Sequence, residues 1–199
     1  MKSESVAYAL AGVFFGLMVG WIIGSQQASL APGARVAQTA QPPSGGSTNA
    51  PAPAVLDETK VKALRTVVEG DPKNAEARAQ LGNLYYDSGR YADAIKWYEE
   101  SLAINPKDVD VSTDLGVSYY YNNQTDHALA QLEKSLSLNP SHTKTLLNIG
   151  VVRAFGKQDL KGASDAWKRL VEIAPESPEG QAAKQALGSI ATSHPNLGQ

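Results

Sequence analysis

The sequence predicts an all-α protein whose body is a solenoid of stacked helix pairs, and three recurrences predict it. Prolines punctuate the chain in Asp71-Pro72-Lys73, Asn105-Pro106-Lys107, Asn139-Pro140-Ser141 and Ala174-Pro175-Glu176, spaced 34, 34 and 35 residues apart. Between them Leu81-Gly82-x-x-Tyr85 returns as Leu115-Gly116-x-x-Tyr119 and, more weakly, as Ile149-Gly150-x-x-Arg153. Each copy then pairs a small residue with a bulky one: Ala94 with Tyr98, Ala128 with Leu132, Ala163 with Trp167. The last pair comes one residue late, which places an extra residue in the turn around Gly156-Lys157-Gln158-Asp159. A fixed period of this size marks units that bury their apolar faces against their neighbours.

Period and pattern together resemble the tetratricopeptide repeat, with two antiparallel helices per unit. The resemblance covers residues 75–175. The family's early tryptophan is absent, and Arg78, Ser112 and Leu146 stand in its place. The physical reading agrees. Gly82, Gly116 and Gly150 fall mid-way along the first helix of each pair, where glycine costs about 1 kcal/mol against alanine and needs a packing reason. The missing side chain lets the second helix approach at Ala94, Ala128 and Ala163. Each proline ends a second helix, since it can neither donate a backbone hydrogen bond nor continue the turn.

In order, a first helix is expected over residues 56–69, with Val61, Leu64, Val67 and Val68 at helical spacing and Gly70 and Pro72 closing it. It stands where a second helix would, so residues 55–72 read as the N-terminal cap of the stack. Repeat one spans 75–108 (helices 75–88 and 91–105), repeat two 109–142 (109–121 and 126–138), and repeat three 143–176 (143–155 and 160–174), with Gly156 ending its first helix. Ser177-Pro178-Glu179 opens a closing helix, a capping residue followed by proline in the first turn. That helix occupies 177–192, and a frayed tail follows over 193–199.

Ahead of the repeats, residues 6–24 carry no charge. Nineteen residues of helix span ~28 Å, close to the ~30 Å hydrocarbon core. Tyr8 and Trp21 suit the two interfaces. These features predict one transmembrane anchor. A cleaved signal peptide is the alternative, but its best site, Ser29-Leu30-Ala31, lies well past the apolar run. Lys2 precedes the anchor and no basic residue follows before Arg35, which puts residues 1–5 in the cytoplasm and the repeats on the outer side of the cytoplasmic membrane. Gly12, Gly16, Gly20 and Gly24 form one stripe, the pattern by which helices touch in lipid. Residues 25–54, rich in Pro, Ala, Gly, Ser and Thr, cannot bury a core and read as a flexible linker with a reach of ~30 Å.

The resemblance implies a binding groove lined by the first helices, at places two, five, nine, twelve and thirteen of each repeat. Those are Glu76, Ala79, Asn83, Tyr86 and Asp87; Asp110, Thr113, Val117, Tyr120 and Tyr121; and Lys144, Leu147, Val151, Ala154 and Phe155. Tyr85 and Tyr119 match structural positions and belong to the core. Some members of the family clamp the C-terminal carboxylate of chaperones with polar residues from three repeats. This chain keeps Asn83 and Lys144 of that set but has Ala79 in place of a lysine, Asp114 in place of an asparagine and Asn148 in place of a basic residue, so no such clamp is expected.

Composition narrows the function. The net charge of −2 carries no nucleic-acid footprint. With no cysteine there is no disulfide, thiolate metal site or thiol nucleophile. His127, His142 and His194 do not converge, and no phosphate loop, nucleophile elbow or dinucleotide fingerprint is present. Neither an enzyme nor a cofactor or metal is expected. Two readings remain. In the first, a membrane-tethered module captures a peptide or partner protein, as an adaptor in envelope assembly or maturation. In the second, an envelope scaffold forms homo-oligomers through the glycine stripe.

Overall fold

Helix caps and turns recur with the repeat. The computed structural model describes residues 53–194. The anchor with its glycines, the linker up to residue 52, and the last five residues lie outside the described part. Eight helices follow one another there: α1 (Glu58–Gly70), α2 (Ala75–Asp87), α3 (Tyr91–Ile104), α4 (Val109–Tyr121), α5 (Thr125–Leu138), α6 (Thr143–Val151, continued by a π-helical turn over Val152–Gly156), α7 (Leu160–Ile173) and α8 (Pro178–Ser193). Among the described residues there is no strand, and no helix is long and apolar enough to cross a membrane.

Side-chain oxygens hold five of the eight helix starts, while α3, α5 and α6 have no side-chain cap. Asp57, Asn74, Asp108, Asp159 and Ser177 each accept from the backbone N–H three residues on, at 2.8–3.0 Å. Such a bond satisfies one of the donors that a helix start leaves open, for about 1 kcal/mol. Asp57 therefore holds the start of α1. At the other ends, α1, α3, α5 and α7 stop one residue before the cap that precedes Pro72, Pro106, Pro140 and Pro175.

Consecutive helices pack in antiparallel succession, with α4 also touching α6, and α8 lying against both α6 and α7. Val61 of α1 joins Leu81, Tyr85, Tyr98, Leu102 and Leu115 in one core cluster, with Leu64 and Val68 packed beside it. The first helix thus covers the apolar end of the stack. Val67 does not take part and is exposed. At the far end α8 seals the stack with Ala183 and Ala186 buried. It runs through Thr192 and Ser193, a little into the segment expected to fray.

The repeat glycines meet the bulky partner of each pair rather than the small one. A Cβ on Gly82 would run into the Tyr98 ring, one on Gly150 into the Trp167 indole, and one on Gly116 would stand 2.8 Å from Leu132 Cγ. The alanines are buried, but it is the large side chain that fills the notch.

The extra residue of repeat three is not in the turn. All three turns within the repeats hold three residues, Ser88-Gly89-Arg90, Asn122-Asn123-Gln124 and Lys157-Gln158-Asp159. Arg90 and Gln124 donate their backbone N–H to a carbonyl five residues back, whereas Asp159 reaches six back, to Arg153. The added residue is absorbed by the π turn, where Lys157 N–H reaches Val152 O at 3.1 Å. Gly156 is needed there because a Cβ would come 2.8 Å from Thr125 Cγ2. The left-handed residue of each turn is Gly89, Asn123 and then Gln158, at φ 74°, 60° and 56°. Gln158 has no glycine's freedom there. Gln158→Gly is expected to stabilise the protein by about 0.5–1 kcal/mol, read as a small rise in the thermal midpoint. A fall would show that the glutamine side chain outweighs its strained backbone.

A tyrosine-lined groove on the inner helices

Three helices, α2, α4 and α6, supply the inner layer, and aromatic residues gather at the ends of two of them. Tyr86 lies at the end of α2 and Tyr91 opens α3. The left-handed Gly89 folds the chain back between them, so the two rings meet edge to face at 5.5 Å. Tyr121, the last residue of α4, stacks on Tyr91 at 5.0 Å and 20° and meets Tyr86 edge-on at 6.0 Å. Tyr120 joins at 5.6 Å from Tyr121. Such offset and edge contacts add about 0.5–1.5 kcal/mol per pair beyond the area they bury. All four tyrosines stay half-buried, so the cluster is a rigid aromatic floor with an open side. Burial raises the Tyr86 hydroxyl well above its ordinary value and raises Tyr91, Tyr120 and Tyr121 too, so all four are neutral donors.

One α-helical period below Tyr121, α4 presents Val117, Asp114 and Asp110 on the same side. The Asp114 carboxyl is recessed, and removal from water raises it to about 7 from 3.8. Lys144 opposes that shift, while Asp110, Asp108 and Asp87 add to it. Beside it the Tyr98 hydroxyl donates to Asn83 Oδ1 at 2.7 Å. Desolvation, and then Asp114 itself, keep that hydroxyl protonated. Toward α6 the groove edge is a polar seam. Thr113 and Thr145 share a 2.7 Å hydrogen bond, His142 Nδ1 lies 2.7 Å from Thr145 Oγ1, and His142 Nε2 lies 3.3 Å from Asp110. Lys144 Nζ stands 3.9 Å from the same Asp110 oxygen.

Several residues expected in the groove are elsewhere. Leu147 and Val151 are core, only 2% and 9% exposed, and Ala79, Thr113 and Ala154 are buried with them. The reason on α6 is local. Leu147 lies where its backbone carbonyl accepts from the Trp167 indole N–H at 3.1 Å, and α8 packs on the same helix. Thr113 is turned into the seam with Thr145. Glu76, Asn83, Asp87, Asp110 and Lys144 are exposed, and Val117 and Phe155 are half-buried. Tyr85 is buried as expected. Tyr119 is partly exposed, its hydroxyl raised to about 12 chiefly by desolvation and then by its 2.5 Å hydrogen bond to Glu99. Two groove residues escaped the inward-position pattern. Tyr91 belongs to a second helix, and Asp114 sits between two inward positions. The signal for Tyr91 was its place directly after the Gly89 turn, opposite Tyr86.

At the clamp positions the side chains differ or are engaged within the protein. Ala79 offers no cation, Asn83 accepts from Tyr98, and Asn148 donates to the Lys144 backbone at 2.8 Å. Among the described residues no three His, Asp or Glu side chains gather to hold a metal ion. Two shallow recesses flank α1, lined by Val61, Arg65 and Tyr85 on one side and Leu64, Asn83 and Leu84 on the other. The groove itself is an open surface, which suits a chain segment better than a small molecule.

Two family profiles match the sequence. One, described as TPR repeat, covers residues 82–123, and the other, tetratricopeptide repeat, covers residues 109–142. Residues 82–142 carry tetratricopeptide repeats. No curated protein matches the chain. Solved structures do. A crystal structure of MamA aligns with a TM-score of 0.61 at 22% identity, over 67% of this chain and 75% of that one. MamA residues 41-end from Desulfovibrio magneticus RS-1 align with a TM-score of 0.56 at 21% identity, over 61% of this chain and 68% of that one. The first repeat domain of Spaghetti (RPAP3), solved with the HSP90 peptide SRMEEVD, aligns with a TM-score of 0.55 at 26% identity, over 62% of this chain and 94% of that one. Tetratricopeptide-repeat proteins are typically interaction modules without catalytic activity, and the fold places this chain among modules for protein–protein contact.

Proposed function

We propose that this protein is a membrane-tethered interaction module whose groove captures a peptide or a segment of a partner protein near the outer face of the cytoplasmic membrane, as an adaptor in envelope assembly or maturation. The tyrosine cluster shared by α2, α3 and α4 carries the reading. Its rings are stiff and half-exposed, and aromatic surfaces of that kind concentrate binding energy at protein contacts. A fold neighbour holds a short peptide, which supports a linear segment as the occupant. The apolar, uncharged residues 6–24 and the linker after them support the tether. Tethering raises the effective concentration at a nearby partner to about millimolar for a short flexible linker, so a weak groove suffices.

The test is affinity capture of the full chain from gently solubilised native membranes, beside a Tyr91→Ala/Tyr121→Ala variant whose helicity is checked first. A partner held by the wild type and lost from the variant supports the module. The same proteins in both samples would sink it, and recovery of the chain alone would turn attention to a scaffold built by Gly12, Gly16, Gly20 and Gly24. In the same membranes, a chain lacking residues 1–24 should move to the soluble fraction.

A further inference from the structure

Asp114 is an acid that the protein itself leaves without a partner. Its side chain makes no hydrogen bond or ion pair among the described residues. No side-chain nitrogen or oxygen there is both sealed from solvent and unsatisfied, so the Asp114 oxygens keep contact with solvent. The surroundings do not help it. Asp87, Asp108 and Asp110 add negative potential, and Lys144, the cation that opposes them, stands by Asp110. A desolvated carboxylate with acidic neighbours costs stability, and a buried charge is normally kept only when something pairs with it. An asparagine of nearly the same shape would avoid the cost. Tyr86 lies within electrostatic reach of Asp114 and belongs to the aromatic cluster with Tyr91 and Tyr121, whose ring faces attract cations.

We propose that the groove receives a cationic side chain, a lysine or arginine of the partner segment, with its charged head on Asp114 and its aliphatic stem along the Tyr86–Tyr91–Tyr121 cluster. This rests on the groove being the binding face, and it adds the chemistry of what is bound. The stem loses water against the rings and the head meets the carboxylate, so one residue uses both halves of the site. Bound cation and carboxylate stabilise each other, and the outer acids Glu76, Asp87 and Asp110 steer basic segments inward while repelling acidic ones.

The experiment pans a displayed library of random linear peptides on the full chain in mild detergent, then measures the recovered peptides by fluorescence anisotropy. The expected binders carry a lysine or arginine at one fixed position, bind Asp114→Asn at least tenfold more weakly, and weaken as much when that residue is changed to glutamine. The Tyr91→Ala/Tyr121→Ala variant separates the two levels of the reading. Binders that need the tyrosines but show no cation, or that bind Asp114→Asn equally well, would overturn the cationic site and leave the groove standing. Binders indifferent to the tyrosines, or none at all, would overturn the groove and the cationic site together.

Discussion

Gly150→Ala is expected to destabilise the protein by about 4 kcal/mol, the sum of an overpacked core and a lost buried hydrogen bond. A methyl group at this position enters the space of the Trp167 indole, which is 1% exposed and has nowhere to go. Moving the ring breaks its N–H bond to Leu147 O, leaving a buried donor unpaired. The thermal midpoint should fall by roughly 10 °C, since about 1 kcal/mol shifts a domain of this size by 2–4 °C. The same substitution at Gly188 supplies the control. A Cβ there meets nothing within 4 Å on α8, so alanine should stabilise by up to about 1 kcal/mol through helix propensity alone. If Gly150→Ala melts within a degree or two of the parent, Trp167 does not rest on Gly150.

Asp114→Asn should stabilise the protein above neutral pH and do almost nothing in acid. In the fold the carboxyl is raised to about 7 from 3.8, first by desolvation. Between those values the folded chain holds a proton that the unfolded chain has released, so this group's contribution falls as pH rises from about 4 to about 7 and stays low beyond. Its surroundings are Tyr86 and Asp87 from α2, Tyr98 from α3, Asp108 and Asp110 beside it, and Lys144 from α6. The amide removes the whole dependence. At pH 8 the gain should be on the order of 2 kcal/mol, discounting the full shift for the solvent that reaches the carboxyl. Denaturant titrations of both proteins at pH 4 and pH 8 give the difference directly. An equal gain at both values would mean that packing, not charge, is what changed. A variant that is more stable yet binds more weakly is what a residue kept for its ligand should give.

How far the sequence carried the reading differs by level. The proline period and the Leu-Gly pattern marked every helix from Ala75 to Ile173, because each mark is a local backbone requirement that repeats. The groove was less legible. Asn83 and Asp87 are exposed and Tyr86 and Tyr121 half-buried on α2 and α4, which are ordinary helices with like neighbours. Leu147 and Val151 are core, because α6 ends the series and packs against α8 instead of another repeat. Tyr91 was hidden by belonging to the other layer, and Asp114 by a pattern that counts inward positions rather than unpaired charge. The position of the added residue was misread for a similar reason. Sequence shows that a unit is longer, and only hydrogen-bond partners show whether turn or helix holds the excess.

That added residue says something about length in a periodic molecule. In an ideal helix one more residue turns everything after it by about 100°. Here the wider turn at Val152–Gly156 takes up the excess, and α7 still lays Trp167 over Gly150 as α3 lays Tyr98 over Gly82. The miscount does not propagate. Each unit keeps its own tally, and the next unit starts from zero. An architecture of this kind tolerates insertions one unit at a time, where a closed barrel or a heptad seam would be thrown out of register to its end.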